Sequence, residues 1–244
     1  MAKVESEGVE ILRVLCGSRA YGLNTPDSDF DYHSVYLIPT TRLLSIGPEV
    51  RASAHVADNE DNTAWELGHF LKLALKGNPT VLETFVAPME SIVRKDIEYT
   101  SNISLGVQLR ALFPYVLSKR PVFESFRGYA SSQRHKMGVE DNARRNLKAA
   151  IAFIRTVLHG TELLSTGTYS TPLHPIWLNR LLSLKTNDVW DVETQAIVEK
   201  WQDEVLEDMV QAYDTSPLPE TPDITEVNRF LLRIRRQAWT FNIN

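Results

Sequence analysis

Cys16-Gly17-Ser18-Arg19-Ala20-Tyr21-Gly22, followed after a short turn by Asp29-Phe30-Asp31, is the stretch on which the reading of this 244-residue chain depends. Upstream, Ile11, Leu12, Val14 and Leu15 make an apolar run that predicts a buried strand ending at Gly17, where no side chain obstructs an approaching phosphate. Ser18 then opens a short helix, whose first N–H groups are unpaired and carry partial positive charge. Asn24-Thr25-Pro26-Asp27 marks a turn, and a second strand is expected from Asp29 to Ile38. Residues two apart on a strand share a face, so Asp29 and Asp31 stand about 6–7 Å apart as hard oxygen donors suited to Mg²⁺. The combination is a phosphate cradle beside a metal-binding carboxylate pair.

The stretch GSRAYGLNTPDSDFDYHSVYLIP, residues 17–39, resembles the DNA polymerase β nucleotidyltransferase superfamily. It is similar, more narrowly, to the bacterial and phage branch of RNA-repair-pathway nucleotidyltransferases, through Trp65-Glu66-Leu67 and Lys76-Gly77-Asn78-Pro79-Thr80-Val81-Leu82-Glu83 as well. The resemblance implies an α+β fold, with a small mixed-sheet head over residues 1–100 and a mostly α-helical body over 101–244 completing the nucleotide cleft. It implies Asp29, Asp31 and a third carboxylate as catalytic metal ligands for Mg²⁺, with Mn²⁺ as a substitute. Gly17, Ser18 and Arg19 are the implied nucleotide ligands on the head. On the body the branch has a Gly-Tyr-Ala segment, here Gly128-Tyr129-Ala130, and a Lys and an Arg seven residues apart, here Lys148 and Arg155. These last two would clamp the β and γ phosphates. The His often found between them is Ala152 here.

Three acids compete for the third ligand. A helix is expected from Asn62 to Lys76, burying Leu67, Phe70, Leu71 and Ala74 at helical spacing and breaking at Gly77-Asn78-Pro79. A strand, Val81 to Val86, is expected next, and Glu83 on it stands where the superfamily's third carboxylate would, as metal ligand or proton acceptor. Glu66 on the preceding helix is its rival, and Asp61 competes with the plain role of a helix N-terminal acid.

Downstream, a helix from about Asn142 to Leu158 buries Leu147, Ala150, Ile151 and Ile154 and leaves Arg144, Lys148 and Arg155 on another stripe, either a phosphate groove or a solvated face. Tyr129, Gln133 and Lys136 share one side of the preceding helix, so Tyr129 either stacks on a base or packs in the core. A loop is expected after the basic helix, with His159 and His174 in surface or loop positions. Val192 to Tyr213 and the stretch from Ile224 onward read as two further amphipathic helices, the last with Arg229, Arg233 and Arg236 outward.

Composition narrows the class. With 43% apolar residues the chain can bury a substantial core, and its single cysteine excludes a disulfide framework. The start lacks the basic-then-apolar plan of a signal peptide, and no run approaches the ~20 apolar residues of a membrane span. A cytoplasmic protein without membrane contact is expected. The net charge of −5 argues against a broad basic coat while permitting a local basic groove. The expected activity is transfer of a nucleoside monophosphate from a nucleoside triphosphate to an acceptor hydroxyl, with an RNA or tRNA end as partner. The alternatives are a toxin-like transferase acting on tRNA or protein, and a catalytically silent nucleotide- or RNA-binding module.

Overall fold

The computed structural model describes residues 8–46, 52–56, 61–89, 104–138, 142–187 and 189–239. Strand β1 (Val9–Cys16) pairs antiparallel with β2 (Asp31–Leu37), and the five-residue helix α1 (Gly17–Tyr21) begins where β1 stops. After α2 (Thr40–Leu44), β3 (Ser53–Val56) and β4 (Asp61–Glu66) complete a mixed sheet in the order β1-β2-β4-β3, with β4 parallel to β2. Alternation assigns the faces: Leu12, Val14, Val35 and Trp65 share one core with α3 (Leu67–Ala74) and α4 (Pro79–Val86), through Phe70, Leu71, Val81, Leu82 and Phe85.

Two expected elements differ. The stretch expected as one helix from Asn62 is a strand as far as Glu66, paired on both sides, and turns helical only at Leu67. The Glu66 carboxylate itself starts that helix, accepting from the N–H groups of Gly68 (2.7 Å) and His69 (3.3 Å). The stretch expected as a strand around Glu83 is the helix α4. Asn78 caps it by accepting from Val81 N–H at 3.1 Å, and Pro79 in the first turn gives up an N–H that had no partner. Those start signals outweigh the strand preference of Val81, Thr84, Phe85 and Val86.

The body consists of α5 (Leu105–Arg110), α6 (Phe113–Val116), α7 (Lys119–Arg134), α8 (Ala143–Thr166), α9 (Pro175–Asn187), α10 (Val192–Asp214) and α11 (Ile224–Gln237). The fold is α+β, a small mixed-sheet head followed by a mostly helical body. Where a loop was expected after Leu158, α8 continues unbroken to Thr166. Its interior Gly160 is the point of closest helix packing: a Cβ there would lie 2.9 Å from Phe126 of α7 and 3.0 Å from Met209 of α10. His159 beside it is therefore buried rather than on the surface. No described helix is long and apolar enough to cross a membrane.

Helix α11 packs on α6 of the body and also reaches back to the head. Thr40 N–H donates to the Ala238 carbonyl at 3.1 Å, the Thr40 hydroxyl to the Arg235 carbonyl at 2.7 Å, and the Arg235 guanidinium to Ile38 O at 3.2 Å and to the Glu66 carboxylate. Glu66 and Arg235 are only 8% and 14% exposed, so each compensates the other's desolvation. Replacing Arg235 by Ala is expected to cost about 2–3 kcal/mol in urea unfolding, because a nearly buried carboxylate keeps only its two N–H bonds. Glu66→Gln should retain the activity expected from the sequence. A Glu66→Gln chain of unchanged stability that has lost that activity would instead return Glu66 to the candidate metal ligands.

Candidate functional site

The sheet places its acids at one end. Cys16, the last residue of β1, is the register partner of Asp31, the first of β2, and Asp31 is in turn the partner of Asp61, the first of β4. Gly17 follows Cys16 with φ +67°, a conformation that other residues rarely adopt. A Cβ at position 17 would lie 1.9 Å from Asp31 Oδ2. Glycine is thus required twice over, for the backbone turn and for the space taken by the carboxylate.

Asp29 lies outside β2, on the exposed connection before it. Its position depends on Arg19, whose guanidinium donates to Ser28 O at 2.7 Å and to Asp29 O at 3.3 Å and covers the Phe30 ring at 3.9 Å. Arg19, expected as a nucleotide ligand, is placed as the tether of the acidic loop. Thr25 and Ser28 close the same loop, with Thr25 N–H donating to Ser28 Oγ at 2.8 Å.

Glu83 is placed away from the strands, buried in α4. The Tyr21 hydroxyl donates to both of its carboxylate oxygens at 2.6 Å, and Arg155 reaches it at 3.9 Å while lying 3.8 Å above the Tyr21 ring. Burial holds the Glu83 carboxyl above its usual range, opposed by Arg155 and the Tyr21 hydroxyl, and the charge of Asp31 adds to the rise. Burial likewise keeps the Tyr21 hydroxyl protonated, as a donor. Arg155 is therefore engaged with Glu83 and Tyr21, whereas Lys148, two turns earlier on α8, is exposed. Tyr129 lines a small cleft with Glu83, Arg155, Thr80 and Tyr169, so the structure brings Glu83, Tyr129 and Arg155 together. Gln133, one turn beyond, is buried and accepts from Lys136 at 3.4 Å.

Sequence reasoning missed three participants. Tyr21 closes the motif helix on Glu83. His33 stands two residues beyond Asp31 on the same strand face, a signal that alternation alone would have supplied. The Thr84 hydroxyl donates to Thr80 O (2.8 Å), so it accepts from His33 Nδ1–H (3.0 Å), which assigns the neutral tautomer. The third, Lys185 of α9, donates to Leu23 O at 2.6 Å, on the loop leading to the acids.

The two buried histidines carry a pH dependence. Burial, reinforced by Arg155, lowers His33 from 6.5 to about 4 and His159 from 6.5 to about 3. Their contribution is fully present above pH 6.5. As pH falls from 6.5 toward 4 the unfolded rings bind protons that the folded ones refuse, so stability drops by about 1.4 kcal/mol per pH unit for each ring. Urea unfolding at pH 7, 6 and 5 checks this, and a flat profile between 6.5 and 5 contradicts it.

Residues 1–233 match the RNA repair pathway DNA polymerase beta family, RlaP. The chain belongs to that family. This chain is similar, at 24% identity over 160 residues, to an uncharacterized 38.9 kDa protein from the nrdC-mobD intergenic region of Enterobacteria phage T4, covering 60% of this chain and 44% of that protein. The uncharacterized protein YcgL of Bacillus subtilis strain 168 is similar at 34% identity over 112 residues, covering 44% of this chain and 39% of that one. The matched stretch thus spans less than half of either relative. The family match supports a nucleotidyltransferase-type fold, and at the junction of β1, α1 and β2 in this chain Gly17 backs the Asp31 carboxylate.

Among the described side chains no three His, Cys, Asp or Glu form a metal-holding group. Asp29 and Asp31 nonetheless suit Mg²⁺ in donor chemistry, and the space that a Cβ at position 17 would fill is kept for the Asp31 carboxylate.

Proposed function

We propose that this chain is a metal-dependent nucleotidyltransferase, moving a nucleoside monophosphate from a nucleoside triphosphate to a hydroxyl at an RNA or tRNA end. The observation that carries the reading is Gly17 packed against Asp31, with Asp31 and Asp61 opposite one another at the starts of parallel strands. Asp29 and Asp31 hold the metal, and Asp61, at the register position beside Asp31, takes the third place that Glu83 was expected to fill. Glu83 is withdrawn into a hydrogen-bonded ion pair, which suits it neither to ligate metal nor to accept the proton of the acceptor hydroxyl.

The acceptor hydroxyl gives its proton to solvent water as its oxygen bonds to the α-phosphorus, the bond from that phosphorus to the bridging oxygen breaks, and pyrophosphate leaves with that bond's electrons. Asp29 and Asp31 would hold Mg²⁺ or Mn²⁺, which would supply charge neutralisation for the attacking and leaving oxygens. The backbone N–H groups at Gly17 and Ser18 orient the triphosphate, with Lys148 facing it from the body and Tyr129 flanking the cleft. Arg19 keeps the acidic loop at a fixed distance from that cradle.

The test incubates the protein with each α-phosphate-labelled NTP, Mg²⁺ or Mn²⁺ and total RNA, alongside an Asp31→Asn variant. Label on RNA that requires Asp31 is the expected result. NTP binding without label on any RNA, or label undiminished in the variant, overturns the reading.

A further inference from the structure

We propose that Arg144 and Lys148 of α8, together with Lys185 of α9, form a docking strip for the phosphodiester backbone of the RNA acceptor, running outward from the catalytic cleft. The proposal rests on the nucleotidyltransferase reading for its acceptor and on the following placement for its site.

Arg144 and Lys148 are four residues apart on α8, so they project from one face, and both are exposed. Lys185 comes to them from the neighbouring helix and is half-buried, its ammonium donating at 2.6 Å to Leu23 O. Leu23 directly follows the motif helix and begins the loop that carries Asp29, so the strip adjoins the acids. Burial and then the charges of Lys148 and Arg144 depress the Lys185 pKa, which places the three cations within electrostatic reach of one another. Among the described residues no carboxylate pairs with any of the three. In a chain with 31 acidic and 26 basic residues, three converging cations without an acid between them hold a repulsion that a polyanion relieves.

The length of the strip favours a strand over the nucleotide. Arg155, midway along the same helix, is engaged with Glu83 and Tyr21, and Arg144 lies eleven residues before it, about 16 Å along α8. A metal-bound triphosphate needs few cations and sits at the inner end of that distance, sharing Lys148 with the strand. A backbone that repeats its charge along its length uses all of it.

The experiment measures binding of a short fluorescein-labelled single-stranded oligoribonucleotide by anisotropy over a series of salt concentrations, and binding of each NTP with Mg²⁺, for the full chain and for Arg144→Glu and Lys185→Gln. The expected result for Arg144→Glu is a loss of about tenfold or more in RNA affinity at low salt, with the salt slope reduced by about one, and unchanged NTP affinity. Lys185→Gln should weaken RNA binding in the same direction. RNA bound at full strength by both variants overturns the strip, and so does a loss confined to NTP. A wild-type chain that labels a non-RNA acceptor and binds no RNA sinks the strip and the RNA acceptor together and leaves nucleotidyl transfer itself standing. One that binds RNA through Arg144 yet transfers nothing sinks the transferase reading alone.

Discussion

Asp31→Asn lowers nucleotidyl transfer by at least about 10²–10³-fold while leaving the unfolding midpoint nearly in place. The change is isosteric, so the space left by Gly17 remains filled and the pairing of β1 with β2 is undisturbed. What disappears is one full negative charge where a divalent ion must compensate developing phosphate charge. Asp61→Asn should lose activity on the same scale, because its strand sets it level with Asp31. Glu66→Gln should not, because that carboxylate caps α3 and pairs with Arg235. Steady-state rates with a labelled NTP, read beside thermal unfolding of the same preparations, distinguish the three. Full activity in Asp31→Asn would end the assignment of the acids.

The second large effect is on stability. Arg155→Ala removes the cation facing a carboxylate whose side chain is 5% exposed, and an uncompensated buried charge costs about 3–5 kcal/mol. The Tyr21 hydroxyl remains as a partner and Glu83 can bind a proton, which together keep the loss toward the lower end of that range. Converting Glu83 to Gln in the same chain should recover part of it, so the two changes should be non-additive by more than about 0.5 kcal/mol in a double-mutant cycle. Additive effects would remove the pair from the account of the core. An Arg155→Ala chain of native stability whose KM for the nucleotide has risen would return Arg155 to the phosphate clamp that the family resemblance implied.

The parts of the head that were legible are those where one residue type answers one backbone demand. Gly17 needs a positive φ and an empty Cβ position, and a compact apolar run stands before it, so β1, α1 and β2 were readable. The stretch after Asn62 was not, because no glycine or proline between Asn62 and Leu67 marks where the helix begins, while the pairing that makes β4 a strand is supplied by β2 and β3. Glu83 was misplaced by composition: Val81, Thr84, Phe85 and Val86 prefer strands, although Asn78-Pro79 already spelled a helix start. His159 was misread because the two glycines around Glu162 suggested a loop, whereas Gly160 serves helix packing. On α10 and α11 Val198, Val205, Met209, Val227, Phe230 and Ile234 are buried, whereas Ile197 and Ile224 are exposed.

The return of α11 to the sheet has a consequence for how the protein is made. Thr40 and Glu66 emerge early in synthesis, yet their partners Arg235 and Ala238 come some 170 to 200 residues later. At a ribosomal pace of about 5–20 residues per second the nascent head waits on the order of ten seconds for the helix that closes it. A message cut short, or a ribosome stalled anywhere in the body, therefore yields a chain that carries every acid of the site and lacks the clasp that secures the strand beneath them.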